Sequence, residues 1–274
     1  ATIRSSEDFW KMDKAKLELT DPDAPLGIRE EHFMSRLLER APDLIEALGA
    51  KVGAEGISSG VSLPFKVYRA GIHASSRHMT TLLNLMRVGV FRDFIKKYPN
   101  AQPEELQKWA DFINKATGRG NLGSWAPASG AMAVVMFAPR FAISRFQAPL
   151  TYLQAMKMPR VRKEIGRTLA ADIAAGLTAV GLASLAGAEV SHDWNDPDFG
   201  KIKIGNTRFD IWAGFQQPTR LFSRLLTSVG KEDPLALIGR FVSYKAAPSV
   251  TLLHDLYTGK SIVGEERPRW EILA

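Results

Sequence analysis

The sequence has no cysteine, which excludes disulfides and thiolate metal sites and leaves the redox compartment unspecified. It has five histidines, His32, His73, His78, His192 and His254. None forms H-E-x-x-H or stands four residues from another, so the ligand spacing of a zinc hydrolase is missing. A run of roughly 20 uninterrupted apolar residues, the length of a simple membrane span, is also missing. Asn121 to Pro139 is uncharged but divided by Pro127 and Gly130, and Ile173 to Ala188 is charge-free for only 16 residues, with Asp172 at its start. The chain opens on Ala1, without a basic n-region, apolar core and small-residue cleavage site. A processed chain or a fragment of something longer is therefore expected. Finally, no Asp or Glu occurs from Phe112 to Lys163.

That last absence gives the charge its shape. Lys115, Arg119, Arg140, Arg145, Lys157, Arg160, Arg162 and Lys163 fall in the acid-free stretch, and these eight exceed the whole net charge of +7. A tract of one sign suits phosphate, anionic lipid or an acidic partner and predicts salt-sensitive binding. The alternative is a solvated face whose counter-charges come from elsewhere in the fold. Phe112, Trp125, Phe137, Phe141, Phe146 and Tyr152 lie in the same stretch, where rings beside cations suit stacking or a membrane surface but more often form core.

With 45% hydrophobic and 24% charged residues, the 274-residue chain has an ordinary folding composition. Residues 1–29, through Asp21-Pro22-Asp23-Ala24-Pro25, read as an arm or linker, 30–264 as a helical domain, and 265–274 as a tail. Phe33, Leu37, Leu38, Leu44, Ile45 and Leu48 share a helical face interrupted by Pro42. A Gly and Ser loop follows, Gly53 to Gly60. Phe65 to Tyr98 then predicts one long helix or two in tandem, with Tyr68, Ile72, Met79, Leu82, Leu83, Met86, Val90, Phe91 and Phe94 apolar and Arg69, Arg77, Arg87, Arg92, Lys96 and Lys97 mainly on the wet side. Pro103 restarts a short helix to about Ala116.

From Arg160 to Ala188, Val161, Ile165, Leu169, Ile173 and Leu177 step by four along one ridge. Ala171, Ala175, Ala179, Ala183 and Gly187 step by four along another, a small-residue surface that lets a neighbouring backbone come close. A buried helix is expected here, with bilayer insertion the alternative. Lys201 to Trp212 changes to period two and reads as a β-hairpin with Gly205-Asn206 at its turn, Ile202 facing Phe209, Lys201 facing Asp210 and Lys203 opposite Arg208. Thr219 to Ser228, Pro234 to Lys245 and Pro248 to Tyr257 return to helix, with Gly259 the stop.

Three short motifs invite a catalytic reading and fail on context. Gly118 to Gly123 spells G-x-G-x-x-G, yet a helix precedes it where the dinucleotide fingerprint needs a strand, so a helix terminator with an exposed Arg119 is expected. Gly56 to Gly60 spells G-x-S-x-G without the sheet a nucleophile elbow requires. Ser228 to Lys231 matches S-x-x-K, too short to carry weight. His192 to Asp198 is oxygen-rich but lacks calcium-loop spacing, and a turn with Asx hydrogen bonds is expected.

Thr117-Gly-Arg-Gly-Asn-Leu122, Phe137-Ala-Pro-Arg-Phe-Ala-Ile-Ser-Arg145, Asp198 through Gln217, Ser243-Tyr-Lys-Ala-Ala-Pro-Ser249 and Tyr257-Thr-Gly-Lys260 resemble a helical region of large bacteriophage polyvalent and internal virion proteins. The likeness runs from about Glu30 to Gly264 and is most specific at the hairpin. It implies a scaffold or genome-ejection role in a virion, beside enzymatic modules elsewhere in very long chains, and carries no catalytic residue onto this one. It also implies other copies or other virion proteins, viral DNA and the host envelope as partners.

The sequence thus predicts a mainly α helical bundle with one small hairpin, oligomeric, with no catalytic residue, metal or cofactor. Its contact residues for DNA or an anionic surface are Arg119, Arg140, Arg145, Lys157, Arg160, Arg162 and Lys163, and its helix-packing interface is Ala171, Ala175, Ala179, Ala183 and Gly187. The alternatives are a membrane-associated helical module and an enzyme using His192 and Asp193.

Overall fold

The chain is mainly α-helical with a small antiparallel sheet. The structure is a computed structural model that describes residues 8–23, 36–51, 55–128, 132, 135, 136, 138–193, 196–212, 214–227, 233–246 and 248–260. Where the sequence reads as one domain over 30–264, two compact units are found, Ala1–Phe141 and Ala142–Ala274.

The first unit contains α1 (Phe9–Lys14), α2 (Arg36–Lys51), α3 (Glu55–Lys97), α4 (Pro103–Ala116) and a 3-10 turn at Gly123–Ala128. α2 runs through Pro42 rather than breaking there, and the backbone of residues 55–60, read as a Gly and Ser loop, is helical. α2 packs along α3, and packing of this kind outweighs the weak local preferences that predicted a break and a loop. α4 is launched by Pro103 and a reciprocal capping box between Gln102 and Glu105, whose carboxylate accepts from the Gln102 amide at 3.0 Å. An aromatic ladder joins the two helices: Phe94 lies 5.0 Å from Tyr98 and 5.1 Å from Trp109, and Trp109 lies 5.5 Å from Phe112.

The expected arm is partly core. Met12, Ala15 and Leu17 are buried, and the extended segment after α1 is held as a missing strand would be, by amides. Asn114 accepts from the Glu18 N–H at 2.9 Å and donates to the Lys16 carbonyl at 3.0 Å, while Asn84 donates to the Thr20 carbonyl at 2.6 Å. Low apolar periodicity suggested a linker because this segment is fixed by polar pairing instead.

The second unit takes in α5 (Pro139–Gln154), within which the division falls, α6 (Pro159–Leu185), β1 (Glu189–Val190), β2 (Ile202–Ile204), β3 (Thr207–Phe209), α7 (Gln216–Thr227), α8 (Pro234–Ser243) and α9 (Pro248–Thr258). The hairpin register is as read: Ile202 pairs Phe209, Lys203 pairs Arg208, and Gly205 supplies the positive φ of +57° at the turn. β1 adds a third strand, with Glu189 opposite Lys203. The paired residues stop at Ile202 and Phe209, one short of Lys201 and Asp210, and the Lys201 ammonium donates to Asp198 at 3.2 Å. α9 stops at Gly259, φ +69°, as expected.

Candidate functional site

The basic tract is acid-free in sequence but not in space. Lys115 is buried and donates to Asp111 at 2.7 Å. Arg119, expected to be exposed, is 8% exposed; it donates to Glu18 at 3.0 Å and also to the Thr20 hydroxyl. Arg140 reaches the same Glu18 carboxylate at 2.8 Å and the Gly120 carbonyl at 3.2 Å. Arg145 is buried with its guanidinium 4.9 Å from the Phe215 ring centre. Arg119, Arg140 and Arg145 therefore serve the interior of their own units, and the counter-charge for the first two comes from the segment read as an arm.

The glycine loop between these arginines is a helix ending. Gly118 takes φ +95°, its N–H bonds the Lys115 carbonyl at 3.1 Å, and the Arg119 N–H bonds the Asn114 carbonyl at 2.7 Å. This is the Schellman pattern, which satisfies the last carbonyls of α4 and leaves no phosphate-facing helix N-terminus.

What remains of the tract is a cluster at the start of α6. Lys157, Arg160 and Lys163 are exposed and Arg162 is half-buried. Cations in a first helical turn oppose the macrodipole, so their placement costs stability, on the order of 0.3–1 kcal/mol each. Beyond them α6 is apolar, with a mean hydropathy of 1.6 over an 18-residue window of which 11% is buried. That is the reverse of the buried helix expected from the sequence. Val161 and Ile165 are buried, but Ile173 and Leu177 on the same ridge are open and Leu185 is 87% exposed. The small-residue ridge is partly open: Ala171 and Ala175 are exposed, Ala179 and Ala183 are half-buried, and Gly187 lies past the helix end with φ +89° as a second Schellman glycine. The close approach occurs one residue away, at Gly176, where the Trp212 indole lies flat against the backbone and donates its Nε1–H to the Gly200 carbonyl at 2.8 Å. Sequence periodicity missed this contact; the isolated Trp212 at the end of the hairpin was its only signal.

No family model, curated protein or solved structure matches this chain. Function therefore rests on the surfaces themselves.

The oxygen-rich loop forms one wall of a polar cavity of about 210 Å³ lined by Glu189, Val190, Ser191, Asp196, Asp198, Lys201 and Lys203. Its charges are engaged. Arg208 holds the Asp198 carboxyl below the usual range, with Lys201 assisting. Lys203, at 2.6 Å, does the same for Glu189, and a hydrogen bond with Ser191 lowers Asp196. These pairs also resolve the like-charge opposition of Lys203 and Arg208. Asp196 accepts from the Asp198 N–H at 2.8 Å, the Asx turn expected here. Among the described residues no group of three or more His, Asp or Glu could hold a metal ion. The G-x-S-x-G serines lie in the helical backbone of α3, and the S-x-x-K segment 228–231 lies outside the described residues.

The most unusual surface is on α3. Its buried side carries Ser62, Ser76, Thr80, Asn84 and Arg87, whereas Val61, Tyr68, Met79, Leu82 and Met86 are exposed. Arg87, expected on the wet side, is 0% exposed; it donates to the Thr117 hydroxyl at 2.8 Å and the Glu18 carbonyl at 3.2 Å. Ser62 and Lys66 share the Glu46 carboxylate of α2, at 2.6 and 2.5 Å, which lowers its pKa. From Ser62 to Arg87 small and polar side chains thus make much of the contact within the unit, with Val88, Phe91 and Phe94 buried beyond them, while the apolar residues from Val61 to Met86 point out.

Proposed function

We propose that this chain is a structural, assembly segment of a bacteriophage internal virion protein, carried in the particle and acting in genome delivery through protein contacts rather than a reaction of its own. The observation that carries the reading is the outward apolar face of α3 with polar groups beneath it, because large uncovered apolar faces mark interaction surfaces. The resemblance of the hairpin segment to phage polyvalent and internal virion proteins supplies the setting: capsid interior or ejection apparatus, with other copies or other virion proteins as neighbours and viral DNA and the host envelope within reach. Mass spectrometry of purified particles of the encoding phage tests this. The chain is expected in filled particles and depleted in particles that have ejected their DNA; a chain missing from filled particles refutes the reading.

A second reading, a membrane-associated helical module, is favoured by one feature, the cation cluster placed directly ahead of the open apolar length of α6. Cations beside an apolar helix suit an anionic lipid surface. Flotation with vesicles containing phosphatidylglycerol separates the readings: binding that needs anionic lipid and falls when Arg160→Glu and Arg162→Glu are combined supports a membrane role, and absence of flotation removes it.

A further inference from the structure

On α3 the residues Val61, Phe65, Tyr68, Ile72, Ser75, Met79, Leu82 and Met86 follow one another in alternating steps of four and three. That is the a/d spacing of a coiled-coil seam, sustained over nearly four heptads. It lies on the open side of the helix: Tyr68 and Met86 are each 52% exposed, Val61, Met79 and Leu82 are similar, Phe65 is a little more covered, Ile72 is half-buried and Ser75 is exposed. The buried side of α3, at Ser62, Ser76, Thr80 and Arg87, is already committed to its own unit.

We infer that this seam is the self-association surface of the chain, occupied by α3 of a second copy running antiparallel about a two-fold axis. The inference rests on the assembly reading above and names its partner. Two features choose a second copy. The seam closes on itself when reversed: Val61 meets Met86, Phe65 meets Leu82, Tyr68 meets Met79 and Ile72 meets Ser75, so each of the eight positions finds its partner within the same eight. A two-fold interface requires that self-complementarity, and it sets Tyr68 against the adaptable thioether of Met79. The area also suffices. With about 200 Å² for a large side chain, half-exposure of six of them leaves roughly 600 Å² per copy and about 1,200 Å² per pair, the lower end of specific interfaces. Antiparallel pairing separates the cations at the end of α3, Lys96 and Lys97, from their counterparts, whereas a parallel pair sets them side by side.

The absence of cysteine makes the register directly testable, since every thiol is one that has been introduced. Sedimentation equilibrium is expected to give twice the chain mass of 30.2 kDa, falling to one chain when Tyr68→Glu and Leu82→Glu are combined with helicity retained. Mixing Tyr68→Cys chains with Met79→Cys chains under mild oxidation is expected to give the mixed disulfide dimer, while Val61→Cys alone does not cross-link. A chain that stays at 30.2 kDa over the concentration series, a dimer indifferent to the two glutamates, or ready cross-linking of Val61→Cys to itself overturns the inference. Each of those results leaves the particle experiment, and with it the assembly reading, standing or falling separately.

Discussion

Gly176→Ala and Gly181→Ala place the same methyl group on the same helix five residues apart, and opposite outcomes are expected. At Gly181 a Cβ meets nothing within 4 Å. Only the conformational term acts there, and alanine should stabilise by about 0.5–1 kcal/mol. At Gly176 the added methyl overlaps the Trp212 ring, with further ring atoms at 2.9 Å. The indole cannot retreat without consequence, because it is tied to the Gly200 carbonyl at 2.8 Å and faces Gly200, whose own Cβ position lies 2.9 Å from Nε1. Overpacking of a rigid ring costs about 1–3 kcal/mol and loss of the indole hydrogen bond about 0.5–1.5 kcal/mol. Against a helix gain of about 1 kcal/mol, a net loss of roughly 1–3 kcal/mol remains. In a chain of this size that lowers Tm by about 2–12 °C, while Gly181→Ala raises it slightly. Thermal unfolding followed by near-ultraviolet circular dichroism reads both, and amide hydrogen exchange over residues 200–212 reports whether the hairpin has come loose. If both alanines raise Tm, the seating of Trp212 on α6 is refuted.

Glu18→Ala removes the carboxylate shared by the buried Arg119 and by Arg140. Glu18 is itself partly exposed, so a loss of about 2 kcal/mol is expected, between exposed and fully buried pairs, measured by urea unfolding. Asp198 has a folded-state pKa below its unfolded one because Arg208 binds the carboxylate. Its contribution to stability is complete above the unfolded value, near 3.9, and is lost as pH falls through the lower folded value. Asp198→Asn should therefore lose most against the parent at neutral pH, with the difference shrinking in strong acid; a difference constant across the titration contradicts this. Combining Arg160→Glu with Arg162→Glu should weaken binding to DNA or anionic vesicles more at low than at high ionic strength, and an equal loss at all salt concentrations argues against an electrostatic surface.

Local rules made parts of this fold legible. The hairpin register followed from alternation and a Gly-Asn turn, and the starts of α4, α8 and α9 followed from Pro103, Pro234 and Pro248. Long-range pairing was not legible. Glu18 stands 101 residues before Arg119 and 122 before Arg140, so an acid-free window in the sequence could not exclude a carboxylate between them. Asn84 and Asn114 likewise fix the segment after α1 through amide bonds that have no hydrophobic period. The surviving candidates for anion contact, Lys157, Arg160, Arg162 and Lys163, are those whose position depends on one helix start.

α3 exposes a more general limit. Periodicity identifies an apolar face but does not say what covers it. For a helix that completes its own domain, that face and the buried face coincide. Here they lie about a quarter-turn apart. Ser62, Ser76, Thr80 and Arg87 line the inward side and the seam from Val61 to Met86 lies beside it, so the sequence-based assignment of Arg87 to water was wrong although the helix itself was correctly read. Small and polar residues are tolerated inside because helices can approach closely there and a buried polar group such as Arg87 reaches partners at Thr117 and Glu18, although the Thr80 hydroxyl is buried without one. Leaving about 100 Å² of each of Tyr68, Met79, Leu82 and Met86 in water instead forfeits about 2.5 kcal/mol per side chain at ~25 cal/mol per Å², which a second helix would recover. A segment built this way leaves much of its apolar surface in water, which is why its apolar pattern does not trace the face that the helix buries in its own unit.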